Sequence, residues 1–122
     1  MRITDLLDKR SINLNAAPKT KSEALDMAVE LMAKSGKIDD IESYRAKVYA
    51  REEEITTGVG EGIAIPHGKC SAVNAPGLAA MIIKDGVDFE SLDDEPVKIL
   101  FLIAAPDTKD NVHLDVLSKL SV

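Results

Sequence analysis

The stretch Thr57-Gly-Val-Gly-Glu-Gly-Ile-Ala-Ile-Pro-His-Gly-Lys69 decides how this chain is read. Glycines at 58, 60 and 62 put three residues without a β-carbon into five positions. Such a run is a loop with unusual backbone angles or close backbone approach. Ile63, Ala64 and Ile65 follow as a short strand. Pro66 has no N–H and biases Ile65 to an extended shape, so the strand ends there. His67 therefore sits at a strand mouth, just past a rigid corner. The glycine run lacks the Gly-Lys-Ser/Thr ending of a Walker A loop and is not a dinucleotide fingerprint. By itself it also fits a tight surface turn; the histidine beside it gives it weight.

Working outward, Asp39 or Asp40 opens the helix that precedes the loop. Its inward stripe is Ile41, Tyr44 and Val48, and Arg51 is expected to end that stripe. Thr20-Lys-Ser-Glu23 is a capping-box pattern for an earlier helix with Leu25, Ala28, Leu31 and Met32 inward and Gly36 as its stop. Ile12 to Leu14 reads as a short strand closed off before Pro18. Downstream, Leu78 to Ile83 is a strand between Pro76-Gly77 and Asp85-Gly86. Val97 to Ala104 is nearly all apolar after Lys98 and reads as a central strand covered on both faces, ended by Pro106. Asp110 or Asn111 caps a last helix with Leu114, Leu117 and Leu120 inward. This order predicts an α/β fold with a mixed β-sheet sandwiched between helices. Residues 1–122 form a single domain that is expected to be C-terminally incomplete, because the last helix is still in period at Val122.

The bulk properties narrow the function. With 122 residues, 45% apolar and 3% aromatic, the chain is one domain with an aliphatic core. A net charge of −6 with no basic run disfavours nucleic acid, whose phosphates need a Lys/Arg footprint. Acidity serves solubility, or a partner with a basic face. Cys70 is the lone cysteine, which excludes an internal disulfide and fits a reducing compartment. The start, MRITDLLDKR, has no apolar signal region, and the longest apolar run, Ile99 to Ala105, is far too short to span a bilayer. A cytoplasmic domain without direct membrane insertion is expected, unless it belongs to a larger membrane-associated polypeptide.

Only two histidines occur, His67 and His113, and His67 is the candidate nucleophile. A neutral imidazole attacks phosphorus readily near neutral pH and yields an N-linked phosphoryl group that can be passed on. Phosphoryl transfer asks a protein mainly for positioning and for donors around the equatorial oxygens. Arg51 offers a planar fork suited to phosphate. His113, in the first turn of the last helix, lies where the dipole favours an anion; beside Leu117 and Leu120 it also fits a core histidine. Glu61 is a solvated loop carboxylate or a brace for Arg51 or a histidine ring. Cys70 lacks a third group to orient a Cys–His pair and reads as a small buried side chain. Glu61, His67, Cys70 and His113 lack close-spaced zinc-ligand pairs, so neither metal nor cofactor is expected. Lys69 and Lys109 read as solvated surface or docking contacts.

These residues, with Arg51-Glu52-Glu53 upstream, resemble the signature of the type-2 IIA domains of the fructose and mannitol phosphotransferase systems. The resemblance extends to Ile3-Thr4-Asp5-Leu6-Leu7, to Val87-Asp88-Phe89-Glu90-Ser91-Leu92-Asp93 with Pro96-Val97, to Ile103-Ala-Ala-Pro106 and to Val112-His113-Leu114. The stretch GEGIAIPH is its most specific part. The resemblance implies a phosphotransferase/anion-transport-like fold. It implies that His67 is phosphorylated on Nε2 by the phosphocarrier HPr and passes the group to a cysteine of a IIB domain while a membrane IIC domain imports the sugar. Arg51, Glu61 and His113 match the residues that surround the phosphoryl group in the family. The family domain runs one or two helices further, to roughly 150 residues. A regulatory module, from the nitrogen-related branch or a transcriptional regulator, is the alternative. That branch usually carries Asn where this chain has Glu61, and a different ending to the Ile103-Ala-Ala-Pro strand, which favours the fructose type.

Overall fold

The computed structural model describes residues 6–107. Strand β1 (Leu7–Asn13) leads into helices α1 (Lys21–Ala33) and α2 (Ile41–Glu54). Five strands follow: β2 (Gly58–Gly60), β3 (Ile63–Ala64), β4 (His67–Cys70), β5 (Gly77–Val87) and β6 (Val97–Pro106). They form one sheet in the order β1-β5-β6-β3-β2, with β4 also beside β6. β6 runs antiparallel to β5 but parallel to β3 and β4, so the sheet is mixed, as expected.

Local chemistry sets both helix starts. The Thr20 hydroxyl accepts from the Glu23 N–H at 3.1 Å, and Asp40 accepts from the Ser43 N–H at 3.3 Å. Each satisfies a donor the first turn leaves open. Gly36, at φ +78, turns the chain after α1.

β6 is the axis of the core. Leu100, Leu102 and Ala104 face α1 and α2 in one cluster with Leu25, Val29, Met32, Tyr44 and Val48. Ile103 and Phe101 face a second cluster with Leu6, Ile63, Ile65 and Leu78. The alternation is that of a strand buried on both faces. Each fully buried aliphatic side chain here contributes about 1.5–3 kcal/mol. The expected last helix, with Leu114, Leu117 and Leu120, lies outside the described residues. No described helix is long and apolar enough to cross a membrane.

Several elements differ from the sequence reading. β1 begins at Leu7 rather than Ile12, while Leu14 is 71% exposed beyond its end. A bulge between Leu7 and Ile12 breaks the alternation, and Asp8 bonds Arg10 across it. The glycine run is β2 plus a tight turn onto β3, with Gly60, Glu61 and Gly62 at φ +107, +58 and +79. His67 does not stand at a strand mouth; it opens β4, because the chain resumes pairing with β6 after Pro66. β5 continues to Val87 through a bulge instead of turning at Asp85-Gly86. Finally, the charged residue that completes the buried stripe of α2 is Glu52, not Arg51. Residues 44, 48 and 52 are spaced by four, so they stack on one face.

Candidate functional site

The corner at Ile65-Pro66 aims the His67 ring. The Ile65 N–H donates to the Thr57 carbonyl at 3.0 Å, and the Pro66 carbonyl accepts from the Ile103 N–H at 3.0 Å. Between these two anchors the Ile65 carbonyl is turned toward the side chain two residues on. It lies 3.2 Å from His67 Nδ1. A carbonyl only accepts, so in the neutral ring Nδ1 carries the hydrogen and Nε2 the lone pair.

A glycine brings α2 onto this strand. A β-carbon at Gly68 would stand 2.9 Å from both Tyr44 Cε1 and Val48 Cγ2. The Tyr44 hydroxyl, fully buried, donates to the Ile103 carbonyl at 2.8 Å, opposite His67 in the β4–β6 register. Burial, and then the neighbouring Cys70 thiol, push its pKa well up and keep it a neutral donor.

The close packing opens a surface cavity of about 350 Å³ between α2 and β4. Lys47, Ala50, Arg51 and Glu54 line it from the helix, and His67, Gly68 and Lys69 from the strand. Arg51 Nη1 donates to the Ile55 carbonyl at 3.0 Å, and its Nε stands 4.0 Å from Glu54. Arg51 and His67 thus line one cavity, with Lys47 and Lys69 as two further cations. Lys69 reaches the cavity because it is two residues from His67 along β4 and shares its face. Lys47, one helical turn before Arg51, was missed by the sequence reading. Its i, i+4 spacing from Arg51 is the signal that marks it. Three cations and one carboxylate around an imidazole make a hollow that attracts an anion.

Other candidates fall elsewhere. Glu61 lines a separate hollow with Gly62, Asp93, Glu95, Pro96 and Lys98, and the structure does not bring it into the cavity of Arg51 and His67. Its N–H donates to Asp93 Oδ2 at 2.9 Å. Cys70 is buried in the core cluster, with its sulfur accepting from the Ala72 N–H at 3.4 Å. Among the described residues no three His, Cys, Asp or Glu side chains gather as a metal site. His113 and Lys109 lie outside the described residues.

One residue near the site enters the sequence analysis only within the run Arg51-Glu52-Glu53, with no role of its own. Glu52, 7% exposed, accepts from the Thr57 N–H at 2.8 Å and the Thr57 hydroxyl at 2.6 Å, and the Thr56 hydroxyl lies 3.3 Å from it. Lys21 Nζ stands 3.0 Å from the same carboxylate. The signal was its place four residues after Val48.

Comparison with known proteins bears on this arrangement. The family model described as phosphoenolpyruvate-dependent sugar phosphotransferase system, EIIA 2, matches residues 5–122. The fructose-specific EIIABC component of the phosphotransferase system from Bacillus subtilis is 46% identical over 121 residues. That match covers 99% of this chain but only 19% of the relative's length. The nitrogen regulatory protein IIA-Ntr from Neisseria meningitidis superposes with a TM-score of 0.88 at 30% identity, covering 97% of this chain and 80% of that one. Enzyme IIA-mannitol from Escherichia coli, solved in complex with phosphorylated enzyme IIB-mannitol, superposes with a TM-score of 0.80 at 30% identity, covering 95% and 81%.

Proposed function

The chain belongs to the sugar phosphotransferase system EIIA 2 family, a family of phosphotransfer proteins, and from that premise we propose that it is a phosphocarrier for the uptake of fructose or a related sugar. His67 takes the phosphoryl group from phospho-HPr on Nε2 and hands it to a cysteine of a IIB domain. The observation that carries this reading is the contact between His67 Nδ1 and the Ile65 carbonyl, 3.2 Å, beside Arg51 in a cationic cavity.

The chemistry follows from that contact. The Nε2 lone pair attacks phosphorus, the new N–P bond forms, and the bond from phosphorus to the donor histidine breaks. Positive charge grows on the His67 ring as this happens. The Ile65 carbonyl, accepting from Nδ1–H, stabilises it. Arg51, Lys47 and Lys69 neutralise the phosphoryl oxygens. On the way out a thiolate attacks phosphorus and the ring leaves with its electron pair, Nδ1 still protonated. No proton has to move at His67 in either direction. Of the remaining candidates, Glu61 and His113 are assigned to the site on family resemblance alone.

The regulatory reading has the weaker support: identity is 46% to the fructose-specific relative and 30% to the nitrogen regulatory one. Neighbouring IIB and IIC activities are parts of the longer system and are proposed with the same reading. The test is a relay. Protein loaded with labelled phosphate from phosphoenolpyruvate, enzyme I and HPr should discharge onto a purified fructose-type IIB domain. Loading without any discharge onto IIB would favour the regulatory role.

A further inference from the structure

We propose that Glu52 is a positioning residue for His67, acting through Thr57 and Ile65 to fix the ring and to hold its distance from Arg51. The proposal rests on the acceptor role assigned to His67. A carboxylate that is 7% exposed must be paired and hydrogen-bonded to be tolerated. Glu52 is both, with the Thr57 N–H and hydroxyl as donors and the Lys21 ammonium at 3.0 Å. A buried ion pair of this kind is poor evidence for a purely stabilising role, since apolar replacements of such pairs are often neutral.

What the carboxylate does secure is geometry. Both oxygens of the carboxylate are used on one residue: Oε1 takes the Thr57 N–H and Oε2 the Thr57 hydroxyl. The Thr57 carbonyl then takes the Ile65 N–H at 3.0 Å, and the Ile65 carbonyl meets His67 Nδ1 at 3.2 Å. An unbroken path of three steps thus joins the last turn of α2 to the imidazole. Thr56 stiffens it, donating to the Phe89 carbonyl at 3.0 Å and accepting from the Gly58 N–H at 3.1 Å. Arg51 is the residue before Glu52. The same side chain therefore registers the helix that carries the cation against the loop that aims the nucleophile. Lys21 reaches the carboxylate from the start of α1 and stands outside the path.

The experiment compares Glu52→Gln, Thr57→Val and Lys21→Met with the parent. Two readouts are taken: the nitrogen-15 spectrum of the His67 ring, and the rate of phosphoryl loading from phospho-HPr per folded molecule. Glu52→Gln keeps the shape but removes one acceptor and the charge. It should shift the ring away from the Nδ1–H tautomer and slow loading about tenfold to a hundredfold, the scale of a small misplacement. KM for phospho-HPr should stay at the parental value. Thr57→Val should act in the same direction, and it serves if the glutamine variant does not fold. Lys21→Met should leave the His67 spectrum unchanged. If Glu52→Gln and Thr57→Val lower only the melting temperature, with ring spectrum and loading rate as in the parent, the positioning role is overturned. A parent that never loads, beside variants whose ring spectrum shifts, would instead defeat the phosphocarrier reading while leaving the path intact.

Discussion

The ring of Tyr44 fills the space that any side chain at Gly68 would need, with Cε1 only 2.9 Å from where a β-carbon would stand. The contact places a helix bearing Lys47 and Arg51 directly on the strand bearing His67. Gly68→Ala should push α2 away from β4. Overpacking of this kind costs about 1–3 kcal/mol. The expected result is a lowered unfolding midpoint in denaturant and a loading rate that falls even among folded molecules, because Arg51 retreats from His67. An alanine variant with parental stability and rate would remove close packing as the reason for this glycine.

Tyr44 also donates its hydroxyl from α2 to the Ile103 carbonyl at 2.8 Å. Tyr44→Phe keeps the ring against Gly68 and removes that buried hydrogen bond. The net worth of such a bond is about 0.5–1.5 kcal/mol. Chemical denaturation should show that loss, with loading per folded molecule close to the parent. A parental unfolding midpoint would mean that the hydroxyl is dispensable.

Arg51 is expected to serve the site rather than the fold, since its side chain is 31% exposed and, among the described residues, bonds the end of its own helix and Glu54 alone. Arg51→Gln should slow loading of His67 by up to a hundredfold, the scale seen when a donor to developing charge is removed. The melting temperature should move little. Arg51→Lys should rescue poorly, because an ammonium lacks the bidentate fork. Full rescue by lysine would reduce the role of Arg51 to simple charge.

The turn at Glu61 has its own pH dependence. The Glu61 N–H, and then the Glu95 N–H, bond Asp93 and hold its carboxyl below the ordinary aspartate value of 3.8. A carboxyl lowered by folding adds stability above its unfolded pKa, and that stability fades as pH falls through the lowered folded value. Acid titration by NMR should therefore show the Glu61 and Glu95 amide signals moving together, with a midpoint below 3.8. Asp93→Asn should abolish the shared transition. A midpoint at or above the ordinary value would show that the clamp is not formed in solution.

How much of this the sequence showed depends on how local the cause is. The caps at Thr20 and Asp40 are satisfied within their own first turns, so their patterns sufficed. The Ile65-Pro66 corner was legible because proline acts on its own neighbour. β6 was legible because burial on both faces leaves a continuous apolar run. β4 was not: His67-Gly-Lys-Cys has no strand pattern, and it is a strand only because β6 supplies its partners. The exchange of Arg51 for Glu52 on the inner stripe has a related cause. A carboxylate can be buried there only because Lys21, Thr56 and Thr57 converge on it from elsewhere. Resemblance assigns Glu61 to the site; the structure gives it a left-handed backbone at φ 58, an N–H bonded to Asp93 and a place in the hollow lined by Gly62 and Lys98.

The central claim is that His67 carries the phosphoryl group on Nε2. The most direct measurement is nitrogen-15 and phosphorus-31 NMR of the protein after reaction with phosphoenolpyruvate, enzyme I and HPr. The account predicts one acid-labile, base-stable phosphoryl group coupled to Nε2 of His67, with Nδ1 still protonated, and no labelling of His67→Ala. Phosphorus coupled to Nδ1, or undiminished labelling of the alanine variant, would contradict it.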